Sequence, residues 1–127
     1  MAGGRRVQVR RAYDEPEDDD GQRVLVDRVW PRGLTKDKAH LDEWCKEVAP
    51  SPDLRKWYGH DPDRFEEFTR RYRAELEDPQ RAEALAHLRS LAAAGPLTLL
   101  TGARRSDISQ ATVVASLVAD AAPDGRG

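Results

Sequence analysis

The chain of 127 residues has one cysteine, Cys45, one methionine and only four lysines. A lone thiol cannot close an internal disulfide, and it excludes a Cys-rich zinc site. No segment approaches the ~18 consecutive apolar residues that a membrane-spanning helix requires. The start, Met1-Ala2-Gly3-Gly4-Arg5-Arg6, leads into a strand-like segment with none of the apolar core of a secretory signal. Strong basicity is missing too: the net charge is -2 and the pI about 5.9, which argues against a generic polyanion binder. These absences lead us to expect a soluble cytoplasmic protein with no membrane partner. We expect one domain over residues 1–127, an ordered core from about 7 to 120, and frayed ends at Met1–Gly4 and Ala122–Gly127.

Apolar residues make up 39% and charged residues 35%, polar for a globular chain yet sufficient for a core. Of the 21 cations, 17 are arginine. The guanidinium fork suits carboxylate and phosphate. A GC-rich genome produces the same excess, so each arginine has to be judged by its position.

Residues 7–13 read as a short strand, and Asp14-Glu15-Pro16-Glu17-Asp18-Asp19-Asp20-Gly21 as a solvated acidic loop. The loop lacks the alternating ligand spacing of a calcium site. Arg23-Val24-Leu25-Val26-Asp27 is a β-branched run, read as a buried strand. Leu41, Trp44, Cys45 and Val48 fall at i, i+3, i+4 and i+7, which predicts an amphipathic helix ended by Ala49-Pro50. Three cap-then-proline pairs follow, Ser51-Pro52, Asp61-Pro62 and Asp78-Pro79, each starting a helix. Leu97–Thr101 reads as the last strand. A final helix carries Ala111, Val114, Ala115 and Val118 on its face, with Ser106 or Asp107 as its cap. The expected fold class is therefore α/β, a small mixed or parallel sheet with helices packed on it.

Chemistry is expected where loops leave the strands, because ligands in open α/β sheets bind at carboxyl ends. The first such loop holds Asp27, Arg28, Trp30, Arg32, Gly33 and Lys36, with no acid between Arg28 and Lys36. Gly33 would let a backbone approach a ligand. Trp30 is either a plug for the core or a plate for stacking. The second loop runs from Thr101 through Arg104, Arg105 and Ser106 into a helix start, where free N–H groups favour anions. Neither loop has the glycine spacing or Gly-Lys-Ser/Thr ending of a P-loop. Ser51, Arg55, Trp57, His60 and Asp61 form a third group, in which His60 could act as an acid or base near neutral pH. A Ser-His-Asp triad is disfavoured, because Ser51 and Asp61 already have capping roles and no nucleophile elbow surrounds Ser51.

The string Arg23-Val24-Leu25-Val26-Asp27-Arg28-Val29-Trp30-Pro31-Arg32-Gly33 is long and unusual. With Trp44, Ala49-Pro50-Ser51, Leu54-Arg55, Trp57-Tyr58, His60-Asp61-Pro62, Arg71-Tyr72 and Glu75-Leu76, it resembles the DUF488 family, YeaO-like branch, from about Val7 to Val118. The resemblance implies a small bacterial α/β domain without an assigned activity. It also implies Lys-Asp and then His-Asn after the last strand. Here that stretch reads Arg104-Arg105-Ser106-Asp107-Ile108-Ser109-Gln110, with Ile108 and Ser109 at the His and Asn positions.

The resulting expectation is a site for a small anionic or phosphate-bearing ligand, a nucleotide or nucleic-acid end. Arg28, Trp30, Arg32, Gly33, Lys36, Ser51, Arg55, Arg104, Arg105 and Ser106 would bind it, with Asp27 and His60 as candidate catalytic groups. No metal or other cofactor is called for, and nucleic acid as a partner is left open. The alternative is a protein-interaction or regulatory module that docks through the Trp-Pro-Arg-Gly loop. Asp27 is expected to pair with its neighbouring arginines, which would hold its pKa down.

Overall fold

The computed structural model describes residues 7–120, and both expected frayed ends lie outside that range. Strands β1 (Val7–Arg11), β2 (Gln22–Leu25), β3 (Glu43–Trp44) and β4 (Leu97–Thr101) form one parallel sheet in the order β1-β4-β2-β3. Helices α1 (Lys36–Ala39), α2 (Pro52–Tyr58), α3 (Phe65–Glu75), α4 (Pro79–Ala94) and α5 (Gln110–Asp120) complete the α/β fold. Central β4 pairs on both sides and is buried along its whole length, as a continuous apolar run should be in a parallel sheet.

Alternation along the strands splits the interior into two layers. Val24, Val26, Leu97 and Leu99 face α2–α5, where Phe68, Tyr72, Leu88 and Val114 close the larger core. Leu25 and Leu100 face the other way. They meet Ala12, Leu34 and Ala39, backed by Trp30, Leu41 and Trp44. Fully burying each of these Leu or Val side chains contributes roughly 1.5–3 kcal/mol.

The capping signals hold. Ser51 Oγ accepts from Leu54 N at 3.2 Å, and Gly59 ends α2 in the left-handed conformation at φ +53°. Asp61 caps a 3₁₀ turn, Pro62–Arg64, that runs into α3, and Asp78 caps α4. The helix expected over Leu41–Val48 does not form: the segment makes β3 and a 3₁₀ turn, Lys46–Val48. The edge of β2 supplies better partners than a helix would, since Asp42 N and Cys45 N donate to the Arg23 and Leu25 carbonyls at 2.9 and 2.8 Å. Trp44 and Cys45 then point into opposite layers, as strand neighbours must. Cys45 stays a buried thiol, pushed up to about 11 by burial and by Glu43 and Glu47.

The acidic loop is not wholly solvated either. Asp20 is 2% exposed; it takes Arg23 Nη1 at 2.5 Å and Arg10 Nη1 at 3.4 Å, and accepts the Glu17 N–H at 3.0 Å. Ser106 and Asp107 do not cap α5 but open a 3₁₀ turn, Ser106–Ile108, one residue further from it. Leu41 and Trp44, expected on a buried face, are half-buried, as is Phe65 at the start of α3.

Candidate functional site

The chain leaves β2 toward β3 but leaves β4 toward α5, which packs back on β1 and β4. Between the ends of β2 and β4 the connections therefore diverge, and a parallel sheet opens a crevice at such a point. The two predicted loops meet there. Val26 N donates to the Leu100 carbonyl at 3.0 Å, and the next residue, Asp27, lies half-buried against the exit of β4. Its Oδ1 accepts from the Thr101 hydroxyl at 2.8 Å and from the Gln110 amide, and its Oδ2 accepts from Gly102 N at 2.7 Å. Trp44 Nε1 donates to the Asp27 carbonyl at 2.6 Å.

All these donors are neutral. Burial raises the Asp27 carboxyl above its ordinary value of 3.8, against the Gly102 and Thr101 bonds, the field of Arg55 and the Gln110 bond. The expected pairing with the neighbouring arginines is absent, because Arg28 and Arg32 are exposed and neither makes a salt bridge among the described residues.

A cleft of about 760 Å³ lies over this carboxylate. Asp27, Arg28, Trp30 and Arg32 line it from the first loop, Arg55 from α2, and His60 from the turn beyond. Trp30 serves chiefly as a plug: its ring meets Trp44 edge-on at 5.4 Å, and Nε1 donates to the Leu34 carbonyl at 2.6 Å. His60 is exposed in a left-handed conformation, φ +57°, with its ring 6.0 Å from that of Tyr58. No triad forms, because Ser51 directs its hydroxyl and N–H to Glu75 while Asp61 caps its turn.

Other expected residues fall beside the cleft and do not line it. Gly33 is exposed on the far part of the first loop, Lys36 is exposed at the start of α1, Ser106 begins the 3₁₀ turn, and Arg104 is exposed. Arg105 gives both Nε and Nη2 to Asp107, which raises its own pKa and lowers that of Asp107. Among the lining residues that the sequence reading did not single out are Tyr13, Asp53, Lys56 and Gln110. Lys56 stands beside Arg55, and Gln110 is the first residue of α5, but neither position carries a motif that marks it.

The sequence profile of the inactive DUF488-N3 subclade matches residues 6–125. The chain belongs to the DUF488 family. Among DUF488 relatives, the uncharacterized proteins Rv3073c of Mycobacterium tuberculosis and Mb3100c of Mycobacterium bovis are each 50% identical over 113 residues, covering 89% of this chain and 93% of theirs. The uncharacterized protein YeaO of Escherichia coli is 41% identical over 109 residues, 86% of this chain and 93% of its own. No solved structure matches. Among the described residues of this DUF488 chain, no group of three His, Cys, Asp or Glu could hold a metal ion, and no helix is long and apolar enough to cross a membrane.

Proposed function

We propose that this protein binds a small phosphate-bearing ligand in the cleft between the β2 and β4 exits, without turning it over. One observation carries the reading. Arg28, Arg32, Arg55 and Lys56 line the cleft, and none of their side chains has a hydrogen bond or salt bridge among the described residues. Elsewhere Arg10, Arg23, Arg64, Arg70, Arg71 and Arg81 pair with carboxylates, and Arg73 and Arg104, which have no hydrogen bond or salt bridge among the described residues, stand apart from one another and outside the cleft. Cations gathered in excess of the nearby carboxylates repel one another, and an anion relieves that repulsion.

Binding in place of turnover has two supports. The matching DUF488 subclade is described as inactive. Asp27, the best-placed carboxylate, already holds Thr101, Gly102 and Gln110, so a base role would have to break the floor of the site. Cytoplasmic residence accords with such a ligand and with the lone free thiol.

A second reading, a protein-docking module, draws on Val29, which is 59% exposed in the first loop. Its intended centre, Trp30, turns inward, which weakens it. Thermal shift in inorganic phosphate or pyrophosphate at low ionic strength tests the first reading. Ligand at a hundredfold excess over Kd stabilises by about 2.7 kcal/mol, a rise of roughly 10 °C for a domain of this size. No shift with either anion would remove the proposal.

A further inference from the structure

Tyr13 stands just beyond β1 and lines the cleft, with 40% of the residue exposed. It is nonetheless braced. Its hydroxyl donates to the Arg32 carbonyl at 2.7 Å, and the Arg11 guanidinium lies 4.9 Å from the ring centroid. Arg11 is itself fixed, because its Nε donates to the Ala103 carbonyl at 3.1 Å. One face of the ring is thus covered, while 40% of the residue stays exposed. A held, open aromatic loses little side-chain entropy when another ring stacks on it. The same hydroxyl fixes the ring relative to the backbone of Arg32, whose guanidinium is uncommitted. A single hydrogen bond thus keeps the stacking surface beside the backbone that carries an anion contact.

We infer that the ligand carries a planar ring beside its phosphate, as a nucleoside 5′-monophosphate does, with the ring on Tyr13 and the phosphate at Arg32 and its fellow cations. The inference rests on the anion reading above. Charge agrees with it: Arg28, Arg32, Arg55 and Lys56 against Asp27 and Asp53 leave the cleft a surplus of two positive charges. That matches one phosphomonoester dianion better than a more heavily charged triphosphate. The volume of about 760 Å³ admits a mononucleotide. Asp27 and Gln110, both half-buried, place polar groups on the floor, where sugar hydroxyls would lie. A free mononucleotide and the 5′-phosphorylated end of a strand share this chemistry.

Isothermal titration with adenosine 5′-monophosphate, ribose 5-phosphate and inorganic phosphate separates the two claims. The wild-type protein should bind the nucleotide about tenfold more tightly than ribose 5-phosphate, the gain that stacking one base supplies. Tyr13→Leu should abolish that gap, weakening the nucleotide far more than ribose 5-phosphate, while Tyr13→Phe, which keeps the ring but loses its bond to the Arg32 carbonyl, should retain part of the gap. Equal wild-type affinities for the nucleotide and the sugar phosphate would overturn the inference and leave the anion reading standing. Binding of none of the three would overturn both. A 5′-phosphorylated dinucleotide distinguishes the sources: tighter binding than the mononucleotide assigns a strand end, and weaker binding assigns the free nucleotide.

Discussion

Gly102 N donates to the Asp27 carboxylate at 2.7 Å, and this one bond ties the exit of β4 to the exit of β2. Thr101 and Gln110 donate to the other oxygen, so a single side chain joins two loops and the first turn of α5. An asparagine cannot serve all three donors, because its NH₂ group must face one of them. Asp27→Asn should therefore destabilise by about 1–3 kcal/mol, and Asp27→Ala by more. Chemical denaturation of both variants checks the order. An asparagine variant as stable as wild type would show that the buried charge costs as much as its bonds return.

Asp27 and Asp20 should respond oppositely to pH. Burial holds the Asp27 carboxyl above 3.8 in the folded protein, so its contribution to stability grows as pH falls and is lost as pH rises through its folded value. Burial would raise Asp20 too, but the Glu17 N–H and the guanidinium groups of Arg23 and Arg10 outweigh it and hold the group below 3.8. Its contribution is present above 3.8 and is lost as pH falls through the lowered folded value. With both Asp20 and Arg23 buried, Asp20→Asn should cost about 3–5 kcal/mol at pH 7. The gap from wild type should shrink below pH 3.8. Parallel stability curves down to pH 2 would contradict this.

The three proline-started turns were legible because Ser51, Asp61 and Asp78 act through local geometry alone. Strand β4 was legible because its burial is continuous. The Leu41–Val48 segment was not: four apolar residues in eight fit a helical face and also two adjacent strand faces, and the open edge of β2 decided between them. Asp20 looked like one of several loop acids, since nothing in sequence shows that Arg10 and Arg23 converge on it. The cleft was half legible. Asp27, Arg28 and Arg32 follow from the rule about strand ends, whereas Arg104 and Arg105 lie just past Ala103, where their loop stops lining it, and Tyr13 enters only through the position of β1 beside β4.

Phe68 is 1% exposed, stacked on Tyr58 at 4.3 Å between centroids and on Tyr72 at 5.5 Å. Removing it leaves a cavity between the helices and the cleft. Phe68→Ala should cost roughly 3–5 kcal/mol, read as a drop in the thermal midpoint. An unchanged midpoint would mean that α3 does not pack as described.

Two glycines separate steric overlap from backbone strain. Gly21 has φ +64°, and a Cβ there would lie 2.2 Å from the Pro96 carbonyl oxygen. Gly33 has φ +77° with nothing within 4 Å of the added atom. Gly33→Ala should cost only the left-handed penalty, about 1–2 kcal/mol. Gly21→Ala must also push the β4 entry aside, and should lose much more or fail to accumulate as soluble protein. Equal melting points for the pair would contradict the packing of the acidic loop on Pro96.

Arg55 links the cleft rim to its floor without touching it. Its side chain makes no hydrogen bond or salt bridge among the described residues, yet its positive field lowers the Asp27 pKa against the larger effect of burial. Replacing it with glutamine removes one uncommitted cation and breaks no contact. The stability of Arg55→Gln without ligand should therefore stay within about 0.5 kcal/mol of wild type. The Asp27 carboxyl should titrate higher, because burial then acts with less opposition. Stabilisation by inorganic phosphate should fall as well, since a dianion loses one of four cations. Carboxyl-carbon NMR titration and a phosphate melt on the same variant read the two effects separately. An Asp27 titration that stays in place while phosphate stabilisation disappears would confine Arg55 to the rim, and a shifted titration with undiminished phosphate stabilisation would remove Arg55 from the anion site.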